Sequence, residues 1–412
     1  MIAAVPFIMA CNQTGQVNAT LFPASGSENV NPDTHLVLTF SETPVLGDSG
    51  MIRVYDAVTD QVVDSLDLSI PSGPTESRTY GPECDYRKVP YDYTRTVVPT
   101  NKDTRPGTPS GTAEPTPPVY QLTIIGGFTD AFHFYPVIVR DSIATIYLHN
   151  NMLEYGHTYY VTIDNGVLNL ADGSFQGVTK EDEWTFTTKS DMPELSDTLI
   201  VDATGKGDFN TVQGALDFIP DFNEQQTVIL VNPGDYEELV YTRNKWNVKI
   251  KGAGMADTKV HYANNEVFNP HPLTVKTNEW PGTFPSRRAA FMLDNCKDIV
   301  IDDMTIATDL KGQAEGLLIN GERIALYRVH IIGSGDALQA NGTIYMESCE
   351  LDGGGDTILG RGSLFAYKSN FRNGGGPFSW VRNTAGNHGN VFVECTFSTE
   401  DGKQADYGRT KS

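Results

Sequence analysis

The chain has 412 residues, which at about 150 residues per domain is two or three domains' worth and excludes a single small module. Thirty Lys and Arg stand against 52 Asp and Glu, a net charge of −22, so clustered cations for a nucleic acid backbone are lacking and DNA or RNA is excluded as a partner. With 39% hydrophobic residues, 39 Gly and 23 Pro, the composition is that of a turn-rich folded chain, and no apolar run reaches the ~18 residues of a bilayer span.

Residues 1–18 read as a leader. The apolar stretch MIAAVPFIMAC ends on Cys11 and is followed at once by polar NQTGQ, a pattern similar to a bacterial lipoprotein signal, although no Lys or Arg precedes it. Export to the cell surface, periplasm or exterior is expected, with Cys11 as a lipid anchor. The five cysteines, at 11, 84, 296, 349 and 395, are an odd number and imply no complete disulfide framework.

Residues 19–190 read as short strands between turns: Leu36 to Phe40, Met51 to Tyr55, Ala144 to Leu148, Thr158 to Ile163 and Trp184 to Thr188 are β-branched and aromatic, several of them alternating. A β-sandwich fits them. The frame from Phe22-Pro23-Ala24 to Trp184-Thr185-Phe186-Thr187-Thr188 resembles bacterial Ig-like domains. A long insertion at 70–120, rich in Pro, Thr and Tyr, interrupts it.

From about residue 197 the pattern changes. Phe209, Val212, Ala215, Leu216 and Ile219 form a helical stripe, with Asp208 positioned as the cap and Pro220 as the stop. Beyond it a strand unit repeats, ending at Ile306, Ile331, Leu351, Phe371 and Phe397, with intervals of 25, 20, 20 and 26. The Leu/Asn frame of a leucine-rich horseshoe is absent, so the fold class expected is all-β: a right-handed parallel β-helix at 197–412, preceded by the Ig-like β-sandwich. In this geometry Cys349 and Cys395 lie about two coils apart with Ser369 between them, beyond disulfide reach. The end, Tyr407-Gly408-Arg409-Thr410-Lys411-Ser412, reads as a turn in mid-fold, so the domain is expected to be cut short there.

Five residues past successive repeat ends stand Asp336, Asp356 and Gly376, the two acids in similar settings, GSGDAL and GGGDTIL. On adjacent coils, carboxylates at one phase raise one another's proton affinity, so one is held as an acid while the other stays ionised. Taken alone, Asp after Gly reads more readily as a turn residue, but an acid ladder without partner cations is costly and shifts the reading toward function. Gln313, seven past Ile306, brings an amide to the previous coil that can donate to an oxyanion, and taken alone it reads more readily as a turn or ladder amide. No G-x-S-x-G, H-E-x-x-H, C-x-x-C or P-loop pattern is present, no metal-ligating cluster is read, and His388 is taken as a surface turn residue.

The segments from Leu199 to Asp217, Val228 to Glu238, Lys251 to Gly254 and Gln313 to Ile319 resemble pectin methylesterases. That resemblance implies a cofactor-free aspartyl esterase acting on methyl-esterified homogalacturonan (pectin), with Asp356 as nucleophile, Asp336 as general acid and then base, Gln313 as oxyanion donor and Arg409 as the arginine holding nucleophile and substrate. A monomer is expected. Four departures stand out. Gly335 replaces the glutamine that precedes the family's acid, Gln339 replaces a tyrosine, Leu359 replaces an aromatic, and Lys411 replaces a tryptophan. Gln339 is either a substitute donor or a strand filler, and Trp380 is a candidate sugar-facing ring or a core residue. The rivals are a β-helix hydrolase or lyase, the latter usually needing a calcium-binding carboxylate cluster, and a surface polysaccharide-binding protein without catalysis.

Overall fold

The computed structural model describes residues 17–73, 121–128, 132–195, 198–266, 268–269, 287–381, 383, 386–399 and 409–410, with backbone only for Val381, Arg409 and Thr410. Cys11, Cys84 and the insertion from residue 74 to 120 lie outside these residues.

The N-terminal unit is built from two facing sheets. One carries Thr20–Phe22, Leu36–Thr39, Ile143–Ile146 and Val137–Arg140, all antiparallel. The other carries Ser27–Val30, Thr185–Thr188, Thr158–Ile163, Met51–Asp56 and Gln61–Asp67. Alternation fixes which side chains face inward: in Met51–Asp56 every second residue is buried. Leu36, Leu38, Ala144 and Ile146 from the first sheet meet Ile52, Val54, Tyr159, Val161 and Phe186 from the second in one core closed by Trp184.

From Thr198 onward the strands wind as a three-sided parallel β-helix. The repeat phases read from the sequence are the observed register, since Ile306 pairs with Ile331, Ile331 with Leu351, Leu351 with Phe371 and Phe371 with Phe397. Each coil must turn its corner at the same phase, and it does so with one left-handed residue. Asp303, Arg328, Ser348, Lys368 and Glu394 have φ of 57, 50, 56, 49 and 53° and recur at the same intervals as the strands. Inward residues such as Leu317, Leu338 and Ile358 stack into one apolar column. Cys296, Cys349 and Cys395 are free thiols, as expected, and Ser369 Oγ accepts from the Cys349 amide.

The helix is shorter than its stripe suggests, Val212–Phe218, and its cap is Thr211 rather than Asp208. Thr211 Oγ1 accepts from the Gly214 amide, whereas the Asp208 carboxylate accepts from the Ile200 amide and staples the preceding loop. Two further carboxylates serve the helix start. Glu238 accepts from the Val212 and Gln213 amides, and Asp33, from the N-terminal unit, accepts from the Asn210 and Thr211 amides and the Thr211 hydroxyl. The two units are also joined where Phe128 and Phe132 pack on Tyr241, beneath the guanidinium groups of Arg243 and Arg287. These rings, with Met292 and Leu318, cover the outward face of the first coils.

Candidate active site

The third face of the β-helix is formed by Val240–Arg243, the start of Phe291–Thr308, Leu317–Glu322, Leu338–Ala340, Ile358–Gly360, Ser379–Val381 and Arg409–Thr410. The short turns entering these strands carry the candidate chemistry, because parallel stacking repeats each turn directly below the last. Leu338 pairs with Ile358, so the residues two before them, Asp336 and Asp356, stack on adjacent coils. The Asp356 amide donates to Asp336 Oδ1 at 3.0 Å, which fixes the upper carboxyl against the lower residue.

Asp336, Asp356, Gln313 and Trp380 line one open trough of about 540 Å³, together with Arg288 and Lys311. Its floor is glycine for a steric reason. A Cβ on Gly376 would meet the Gly355 carbonyl oxygen at 2.2 Å, so the bare floor comes from close coil stacking. Gly335 is equally confined: a Cβ there would meet the Gly312 carbonyl oxygen at 2.7 Å and Gln313 Cα at 2.9 Å. A side chain at this position would press on that backbone.

Both carboxyls are buried, Asp336 at 7% exposure and Asp356 at 5%. Burial, and after it the Glu315 charge, pushes the Asp336 carboxyl up to about 7; Asp356 adds to the rise, and Arg288 opposes it. Such a group holds its proton near neutral pH.

The positions of the remaining candidates differ from expectation in part. Trp380 is half-buried at the trough wall and is not a core residue. Gln339 is 2% exposed and stands on the outward column between Leu318 and Leu359, the column that continues to Trp380. The backbone of Arg409 pairs with Trp380 on the next coil, which brings it to the same face. His388 is exposed, as a surface turn residue should be.

Sequence reasoning missed Arg288. Its guanidinium donates to Gln313 Oε1 at 2.7 Å, to Asp336 Oδ2 at 3.1 Å and to both oxygens of Glu315, which is fully buried. The available signal was Glu315 itself, an acid inside the apolar run from Ala314 to Ile319, which demands a cation partner. Also missed was a group of possible metal ligands away from the trough, Glu237, His261 and Asp309; Arg140 pairs with both of its acids, and His261 Nε2 lies 2.8 Å from Asp235.

Residues 198–374 match the pectinesterase family profile. Among similar proteins, Pectinesterase QRT1 of Arabidopsis thaliana is 31% identical over 170 residues, 39% of this chain and 43% of that protein. Probable pectinesterase 67 of the same plant is 27% identical over 182 residues, covering 42% and 50%. The chain thus spans half or less of the length of these relatives. A solved pectin methylesterase from carrot is similar at 18% identity and a TM-score of 0.45, over 53% of this chain and 71% of that one.

Proposed function

We propose, from the match of residues 198–374 to the pectinesterase family profile, that this chain hydrolyses the methyl esters of homogalacturonan through an acyl-enzyme on Asp356. The observation that carries the reading is the pair itself: two buried carboxyls on neighbouring coils facing one trough, one of them with its proton held to about 7.

The ionised Asp356 oxygen attacks the C6 carbonyl of a methylated galacturonate, and the Gln313 amide donates to the oxyanion that forms. The carbon–methoxy bond breaks as Asp336 gives its proton to the departing methanol. Asp336, now a carboxylate, takes a proton from water as the hydroxyl attacks the acyl carbon. The bond to Asp356 breaks, and a free uronate leaves. Trp380 offers a ring to the sugar; the family resemblance gives Arg409 the role of the cation for Asp356 and a substrate carboxylate, and its side chain lies outside the described residues.

The N-terminal unit is read as an Ig-like module. The Tyr159 hydroxyl accepts from the Glu154 amide five residues upstream, a corner device of such sandwiches. Export, with Cys11 as a lipid anchor, places the protein where pectin is met; mass spectrometry of the mature N-terminus tests this, and an unprocessed Met1 counts against both. The catalytic reading is tested by methanol release from high-ester pectin. Wild type is expected to release methanol and Asp356→Ala none while remaining folded; turnover near wild type in the variant refutes it.

A further inference from the structure

We propose that Arg288 is a positioning residue that locks the amide of Gln313 with its NH₂ group turned away from Arg288 and available to the oxyanion. The inference rests on the esterase reading and adds a component of the site outside the motifs that carry the family resemblance.

An arginine has five donors and no acceptor, so the amide atom facing its Nη1 at 2.7 Å must be the Gln313 oxygen. An unrestrained glutamine on an exposed turn is free to flip, and Gln313 is exposed. Arg288 removes that freedom because it is itself immobilised. Its Nε bonds both oxygens of the fully buried Glu315 at 2.8 and 2.9 Å, and Nη2 spans from Glu315 to Asp336. Glu266 lies 3.8 Å from Nη1 on the other side. One guanidinium plane thereby ties the oxyanion donor to the acid group and sets their relative geometry.

The lock matters more here than it would with two donors. Gly335 stands where the family pattern has a second glutamine, and a side chain there would press on the Gly312 and Gln313 backbone. Gln313 is left to bear the oxyanion with an orientation that only Arg288 enforces among the described contacts. The charged groups facing Asp336 are Arg288, Glu315 and Asp356, with Glu266 behind Arg288 and Lys311 at the trough wall.

Removing Arg288 alone would leave Glu315 buried and unpaired, so the test uses a paired exchange, Arg288→Met with Glu315→Met, which removes both charges at similar volume. Methanol release from high-ester pectin is measured for the full chain as wild type, paired variant and Arg288→Lys, with folding followed by circular dichroism. The paired variant is expected to fold and to lose roughly 10²-fold in kcat, the scale of a lost oxyanion donor, with KM within about threefold of wild type. Arg288→Lys keeps a cation on Glu315 but cannot span Gln313 and Asp336 together, so it is expected to fold and to fall between the two. If the paired variant does not fold, Arg288→Lys alone decides, and wild-type kcat in it overturns the proposal. So does a folded paired variant within threefold of wild-type kcat, or one whose loss lies wholly in KM. The ¹⁵N order parameter of the Gln313 side-chain amide separates this proposal from the esterase reading, because it needs no turnover. It is expected near rigid-backbone values in wild type and below about 0.6 in the paired variant, and equal values in the two proteins overturn the lock even if methanol is released.

Discussion

Replacing Asp336 by Asn should make the protein more stable while making it inactive, and the gain should depend on pH. Folding raises the Asp336 carboxyl from 3.8 to about 7, mainly through burial. A group whose folded-state proton affinity exceeds its unfolded one favours the fold when protonated; that contribution is complete below about pH 3.8 and disappears as pH rises through about 7. The difference of roughly 3 units at ~1.4 kcal/mol each makes ionised Asp336 cost up to about 4 kcal/mol at pH 8. Asparagine carries no such cost and can still accept from the Asp356 amide. Urea denaturation of both proteins from pH 4 to pH 8 should therefore show nearly equal stability at the acid end and a widening advantage for Asp336→Asn toward pH 8. Methanol release by the variant should meanwhile fall by roughly 10²–10⁴-fold. A variant no more stable than wild type at pH 8 would refute the claim that this carboxyl is held in a costly state.

The same protonation should give methanol release an alkaline limb: kcat/KM should decline above about pH 7, as the acid that serves the leaving group ionises, and a flat profile from pH 6 to pH 9 would contradict the assignment. Gln313→Ala should lower kcat by roughly 10²–10³-fold with little change in KM, measured on the same pectin. Gly335→Ala should lose about 1–3 kcal/mol in denaturant melts, because its Cβ would press on the Gly312 oxygen and Gln313 Cα. Asp33→Ala removes an acceptor shared by two amides and a hydroxyl at the helix start and should cost about 1–2 kcal/mol, seen as a lower midpoint of thermal unfolding.

The β-helix was legible because its physics is periodic. Apolar residues must return to the interior once per coil, so Ile306, Ile331, Leu351, Phe371 and Phe397 could be counted from the chain and proved to be register partners. The same count stacked Asp336 on Asp356. What the count could not supply was contact between unlike phases. Arg288 lies three residues before its strand and reaches Glu315 and Asp336, 27 and 48 residues on, a relation visible only once the coils are closed. Gln339 was ambiguous because period 2 says that a side chain leaves the interior, not whether something covers it. The helix start was misread for a similar reason. Asp208 has the right residue type, but the preceding loop claims its carboxylate, and Asp33, from 177 residues earlier in the chain, bonds the Asn210 amide instead.

The central claim is that Asp356 carries the acyl group while Asp336 handles protons. Acid quenching during turnover of methyl-esterified oligogalacturonide, followed by peptide mapping, addresses it most directly. The uronoyl mass is expected on the peptide containing Asp356 and nowhere in Asp356→Ala; an adduct on another residue, or methanol released at the wild-type rate without Asp356, would contradict it.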